Sequence, residues 1–382
     1  MSLTIRPVFT RRDLRRFVTF PWRIYRRDPN WVPPLIGVQM DKLDPARNPF
    51  WRNAERALWL ARQDGQPAGT IAAILDHGRN RALGQQLGIF GFFECVNDQA
   101  VASALLDTAA DWLREHGMTA MRGPFNPSTA DEMGLLIFGH DTRPSLLEAH
   151  TPPYYVDLIE GAGFTKQADT MAWLVQAPPD ARDVAEVLPA RVVSAAGWAR
   201  TRAGASIRPM NVAAWDAEVA MAGRLYNAAL AHLPEYVPLS EEEFRAFSGS
   251  FKPILDPALA LLLEVGGRPA GFALALPDYN EALQHVNGRL WPFGALKLWW
   301  YGRRLHRATF KILVLLPEFW GRGLETLLIV EIARAAWAKG FREMDLSLTG
   351  EENENIQRLL SGLGMRVYRR YRIYQKVLDI GD

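Results

Sequence analysis

The chain has 382 residues, 48% apolar and 23% charged, with a formal net charge of +2. That balance is globular, the length favours two domains over one core, and the near-neutral charge gives no global footprint for nucleic acid. Cys95 is the only cysteine, which excludes disulfides within the chain and fits a reducing compartment.

In chain order, the start Met1-Ser2-Leu3-Thr4-Ile5-Arg6-Pro7-Val8 lacks a signal-peptide core, and no apolar run reaches the length of a membrane span. Leu3–Val8 reads as an opening strand, and Asp13 as a cap for the next helix. Phe9–Trp31 mixes arginines (Arg11, Arg12, Arg15, Arg16, Arg23, Arg26, Arg27) with Phe17, Phe20, Trp22, Tyr25 and Trp31. Strands at 57–63 and 68–75 flank Asp64-Gly65, a hairpin signal. A strand at Gly88–Cys95 precedes a helix capped by Asp98 and closed by Gly117. Then come a strand at 118–122, a helix at 155–162 and a strand at 170–175. Pro178-Pro179 opens a joint with a helix expected over 184–203. Strands follow at 258–265, 269–276 and 309–316, a helix from Leu324 to Gly340, a strand at 343–348, a helix at 356–363 and a last strand at 370–377.

An internal repeat organises these elements. Ile5-Arg6-Pro7 recurs as Ile207-Arg208-Pro209, and Gly65-Gln66-Pro67-Ala68-Gly69 as Gly267-Arg268-Pro269-Ala270-Gly271, both displaced by 202 positions. Leu158–Phe164 recurs as Leu359–Met365, displaced by 201. The expected organisation is one fold in two copies, residues 1–176 and 205–382, joined by a linker at 177–204. The second copy carries the sharpest motif. A buried strand ends with Leu315, Leu316 and Pro317, two glycines flank an arginine in Trp320-Gly321-Arg322-Gly323, and an amphipathic helix starts at Leu324-Glu325. Strand, glycine turn and helix start together suit a phosphate, because backbone N–H groups can close on it. The first copy has no glycine at the same place, after Phe92-Phe93-Glu94-Cys95, and is expected to shape the acceptor side.

This motif resembles that of the GCN5-related N-acetyltransferases (GNAT), whose strand–Arg/Gln-x-x-Gly-x-Gly/Ala–helix element grips the pyrophosphate of acyl-CoA. Gly321, Arg322, Gly323 and Leu324 match; Trp320 replaces Arg/Gln and Glu325 replaces Gly/Ala. The run from Glu352 to Tyr368, with Asn353 and Asn355, is similar to the family's segment beside the thioester and adenosine. The whole chain resembles a two-copy bacterial group that includes ceramide synthases, through Phe20-Pro21-Trp22, Asp28-Pro29, Gly123-Pro124-Phe125-Asn126-Pro127-Ser128, Asp131-Glu132-Met133-Gly134 and Pro152-Pro153-Tyr154-Tyr155. The resemblance implies an α/β (α+β) fold of two tandem GNAT-like domains, each a mixed, mostly antiparallel sheet flanked by helices. It also implies acyl-CoA as co-substrate with no permanently bound cofactor, a lipid amine as acceptor, and a cytoplasmic place with peripheral contact at the inner membrane.

Each copy carries an insertion. The first runs from Gly123 to Tyr155. Glu132, Asp131 and His150 are its candidate bases and Asn126 a candidate oxyanion donor; the alternative is a loop whose polar groups cap turns. Glu94 is a further candidate base or a paired structural carboxylate. The second insertion, 277–308, interleaves Trp291, Trp299, Trp300 and Tyr301 with Lys297, Arg303, Arg304 and Arg307. That composition suits a membrane interface, a lid over a long acyl chain, or a flap packed on its own domain. The GNAT resemblance makes Tyr368 or Tyr371 the candidate proton donor to the leaving thiolate, the alternative for either being core packing. No metal-ligand cluster, nucleophile elbow or Walker loop stands in the sequence. Two other readings fit a tandem chain: aminoacyl-tRNA-dependent transfer, and acyl-CoA binding without turnover.

Overall fold

The computed structural model describes residues 2–181 and 183–379. The chain forms two compact units that do not follow the repeat boundary. The first takes residues up to Thr170, Ala282–Tyr301 and residues from Arg369 on; the second takes Met171–Glu281 and Gly302–Tyr368. Each unit thus holds a strand encoded by the other copy.

In the first unit, strands Leu3–Pro7, Ala54–Gln63, Gln66–Asp76 and Leu87–Cys95 run antiparallel. Leu87–Cys95 then pairs in parallel with Ala120–Gly123, beside which the strand Arg366–Val377 pairs Tyr374 with Gly123. One face is covered by the helix Gln99–Glu115. Asp98 accepts from the N–H groups of Ala100 and Val101, which fixes the helix start. Val101, Leu105, Leu106, Ala109 and Leu113 follow at helical spacing and are fully buried, each large one worth about 1.5–3 kcal/mol. Phe17, Val18, Ile36, Leu43 and Trp51 cover the other face. The first helix, Arg11–Thr19, is capped by Thr10 and not by Asp13, which lies inside the first turn and receives the Thr10 hydroxyl.

The second unit repeats the order with Ala205–Pro209, Ala260–Val265, Arg268–Pro277, Arg307–Leu315 and Glu343–Gly350. Its helix Leu324–Ala338 packs one face through Leu324, Leu328, Ile332 and Ala336. Helices Trp215–Leu230 and Glu241–Phe251 lie over the other, the latter opened by a Ser240/Glu243 capping box. The helix expected over 184–203 is broken: Val184–Glu186 is a 3-10 turn, and Pro189 precedes the α-helix Ala190–Ala203. The strand Thr165–Gln176 is longer than its apolar run. Its end reaches the second unit, where Trp173 Nε1 donates to Thr349 Oγ1 at 2.9 Å.

Candidate functional site

The phosphate-turn segment of the second unit grows from the strand Arg307–Leu315. Leu315 is buried under the helix, and the N–H of Leu316 donates to Ala270 O at 2.9 Å. Pro317 has no N–H and ends the ladder, and Pro317–Phe319 makes one 3-10 turn. Trp320 closes the turn, its indole N–H donating to Leu315 O at 2.9 Å and its ring edge-on to His232. Gly321 and Gly323 both have positive φ, 71° and 76°, and Gly323 starts the helix without a side-chain cap. A Cβ on Gly323 would also come within 3.3 Å of Ala199. Arg322 is exposed, lies over the Phe319 ring, and donates to Glu318 O at 3.0 Å. Burial raises the pKa of the Glu325 carboxyl, against the pull of its own backbone N–H, so it sheds charge more readily beside an anion.

Below this turn the two central strands separate. The parallel ladder joins Arg307–Phe310 to Glu343–Leu346 and stops, while the strands run on to Leu315 and Gly350. At the last paired step sits a polar cluster. Lys311 Nζ donates to Ser347 Oγ at 2.6 Å and stands 3.8 Å from the fully buried Asp345. Asp345 accepts from Thr309, from Ser347 at 3.1 Å and from Tyr368 at 3.0 Å. A buried cation and hydroxyl at a strand fork are suitable donors for a developing oxyanion. The sequence signal was present, as polar residues inside apolar strands, but the strand register was needed to bring them together. Asn353 is engaged as the cap of helix Glu354–Gly362, accepting from Ile356 N–H at 3.2 Å, and Asn355 is exposed in that helix's first turn.

The first unit fills the corresponding fork with its own loop. Phe92 has a positive φ of 48°, and its N–H donates to Asn126 Oδ1 at 2.6 Å. A Cβ on Gly91 would meet Phe125 O at 1.7 Å, so only glycine lets the loop pass. Asn126 pairs in register with Glu132, and its Nδ2 faces Glu132 Oε2 at 3.5 Å. Lys42 donates to Asn126 O at 3.2 Å and pairs with Asp131 at 3.1 Å, while Ser128 holds the other Asp131 oxygen at 2.8 Å. Burial pulls the Lys42 ammonium down, but Asp131 and Glu132 outweigh it and hold its pKa above the ordinary value. Glu94 sits close enough to feel Glu132. Its Oε2 accepts from Tyr155 at 2.7 Å, and burial pushes its pKa up to about 8 against the pull of Tyr155 and Tyr25. The Tyr155 hydroxyl accepts from Cys95 N–H at 2.8 Å, which aims its proton at Glu94. Asp131, Glu132 and Asn126 are thus gathered around Lys42, with Glu94 within the electrostatic reach of Glu132.

His150 and Tyr371 belong to a separate network of the same unit. His150 Nε2 lies 2.8 Å from Asp28, and Nδ1 lies 3.1 Å from an Arg369 nitrogen. A guanidinium only donates, so Nδ1 accepts and the ring proton is on Nε2. Tyr371 is wholly buried, accepting from Arg369 Nε at 2.6 Å and donating to Glu148 at 3.1 Å. Both ring nitrogens and the phenol are therefore committed to structural partners.

The aromatic insertion is fastened to the first unit. Trp22 Nε1 donates to Asn287 at 2.7 Å, Gln284 Nε2 to Pro29 O at 2.5 Å, and Ile36 N–H to Gly288 O at 3.0 Å. Beyond this anchor, Trp291 is 85% exposed, Phe293 69%, Leu296 63%, and Trp299 and Trp300 about half. Five large apolar side chains within ten residues are thus about half exposed or more. Among the described residues, no helix is long and apolar enough to cross a membrane.

No protein-family model matches the chain. It is similar to the bacterial ceramide synthase of Caulobacter vibrioides, 32% identical over 99% of this chain and 98% of that protein. It is also similar to protein YghO of Escherichia coli, 30% identical over 97% of this chain and 95% of that protein. Among solved structures, a tandem GNAT protein from the clavulanic acid biosynthesis pathway covers both chains fully with a TM-score of 0.60 at 14% identity. A GCN5-related N-acetyltransferase from Sphaerobacter thermophilus gives 0.53, also at 14%, covering 100% of this chain and 97% of that one. The fold of this chain is that of tandem GNAT proteins, and by full-length identity the chain is an acyltransferase belonging to the family of the bacterial ceramide synthase.

Proposed function

We infer that this acyltransferase joins a long-chain acyl group from acyl-CoA to the amine of a long-chain, sphingoid-type base. The observation that carries the reading is the first-unit cluster of Glu94, Asp131 and Glu132, with Glu94 held near pH 8. An ammonium is drawn to carboxylates but must lose a proton before it attacks. A base that titrates near the working pH takes that proton most effectively. Glu94 takes the ammonium's first proton and releases it to solvent. The free amine then adds to the thioester carbonyl, the C–S bond breaks, and amide and CoA thiol leave as the nitrogen gives up a second proton and the thiolate takes one. Asp131, paired with Lys42, is an acceptor contact, and Glu132 shares its charge with Glu94.

The second unit binds the donor in this scheme. Its turn Trp320–Glu325 takes the pyrophosphate, and Lys311 and Ser347 polarise the thioester. The relative's name supports the ceramide-type product. The exposed Trp291, Phe293, Leu296, Trp299 and Trp300, with Lys297 beside them, support docking on an anionic membrane surface where such amines reside.

The test is turnover of palmitoyl-CoA with sphinganine or its 3-oxo form, read as amide by mass spectrometry. Glu94→Gln should lower kcat at least a hundredfold with the circular dichroism spectrum unchanged. Full activity in that variant would remove Glu94 as the base. No amide with any long-chain amine would overturn the substrate assignment.

A further inference from the structure

The sheet of the second unit is packed unequally. Beneath the helix Leu324–Ala338 the core is continuous. On the opposite face, under helices Trp215–Leu230 and Glu241–Phe251, a cavity of about 60 Å³ remains. Its wall is almost wholly apolar, from Trp215, Val219, Phe244, Phe251, Phe272 and Ile312. The one carboxylate at its edge, Glu218, is pinned by Arg208 at 2.9 Å. Water fills polar cavities and leaves apolar ones dry, so this space suits hydrocarbon.

Position gives the hydrocarbon an identity. Ile312 is the first residue after Lys311, at the fork where the parallel ladder has ended, and the same strand runs on into the glycine turn. A donor whose phosphates lie at that turn and whose arm follows the fork brings its thioester to Lys311. Whatever is attached to the thioester carbonyl then continues toward the opposite face. We propose that the cavity beneath Trp215–Leu230 and Glu241–Phe251 holds part of the acyl chain of the donor and sets the chain length the enzyme accepts. This rests on the acyl-CoA reading above and adds the tail subsite to it.

One water takes roughly 10–15 Å³ of such space, so the cavity holds roughly four to six methylene-sized groups, with the rest of a long chain outside it. Each buried methylene is worth about fourfold in affinity. Ala222 and Ser248 line the cavity and are half-buried, so larger residues there enter it from its rim. The experiment is a thermal-shift titration of wild type, Ala222→Phe and Ser248→Phe with CoA, hexanoyl-CoA and palmitoyl-CoA. Turnover across chain lengths is measured on the same samples.

Wild type should gain more from palmitoyl-CoA than from CoA, and the filled variants should lose that excess, roughly 250- to 4,000-fold in affinity, while keeping the shift with CoA. Their turnover optimum should move to shorter chains. Filled variants that keep both the palmitoyl excess and the wild-type chain profile overturn the subsite. So does a wild type that gains no more from palmitoyl-CoA than from CoA. A palmitoyl excess that filling abolishes, with no amide formed from any amine, keeps the subsite and overturns the transferase substrates instead.

Discussion

Replacing Glu94 by Gln should make the protein more stable as the pH rises, even as it stops the chemistry. The carboxyl ionises near 8 in the fold against 4.5 for the free group, because burial penalises its charge. Between those two values the folded state holds a proton that the unfolded state has released. Stability therefore falls as the pH climbs from 4.5 to about 8, and levels beyond it. Each pH unit in that window is worth about 1.36 kcal/mol. Glu94 is only partly shielded, which leaves about 2–4 kcal/mol between pH 5 and pH 9. Gln keeps an oxygen to accept from Tyr155 and has nothing to titrate. The gain of Glu94→Gln over wild type should thus be small at pH 5 and reach that range at pH 9. Urea unfolding, followed by circular dichroism at both pH values, measures the difference. Parallel pH profiles for the two proteins would refute the argument that the fold holds a proton on Glu94 above the range of the free group.

Four further outcomes are expected. Tyr155→Phe removes the donor that lowers the Glu94 pKa and the acceptor for Cys95 N–H; the acid limb of kcat/KM should move to higher pH, and stability should drop by about 1–3 kcal/mol. Lys42→Met leaves Asp131 without its cation, so an unfolding titration should show a loss of about 3–5 kcal/mol. Gly323→Val imposes a β-branched side chain at φ 76° and crowds Ala199; it should cost about 1–3 kcal/mol and abolish the thermal shift with CoA. Replacing Trp291, Trp299 and Trp300 together by Ser should cut sedimentation with anionic vesicles at least tenfold and leave turnover of detergent-dispersed substrate within threefold.

Much of the fold was legible because local signals agree with the pattern of burial. Asp64-Gly65 sets the first hairpin, Asp98 and Gly117 bracket a helix with its apolar face already spaced, and Pro317 ends a strand that is plainly apolar. The helix Trp215–Leu230 went unassigned because its apolar stripe is diluted by alanine, and Glu241–Phe251 because its few phenylalanines stand in a polar run interrupted by Gly249. The strand ends at Thr165 and Arg366 are rich in charge and carried no alternation to read. In the site, the sequence gathered Asn126, Asp131 and Glu132 by proximity along one loop. It gave no sign that Lys42 would join them, or that His150 and Tyr371 would be tied up by Arg369. Those pairings depend on strand register and on which unit each segment enters, neither of which a short motif encodes.

The exchange of strands has a consequence for how the protein is made. Residues 165–170 and their neighbours are translated with the first copy, yet the strand that completes their sheet, Arg366–Val377, is translated only with the second. Domains usually close in order of synthesis. Here the earlier half waits, with an open sheet edge, for the later half to be translated. Splitting the chain at the repeat boundary would strand each half without an edge it needs, and only their co-expression would restore a folded product.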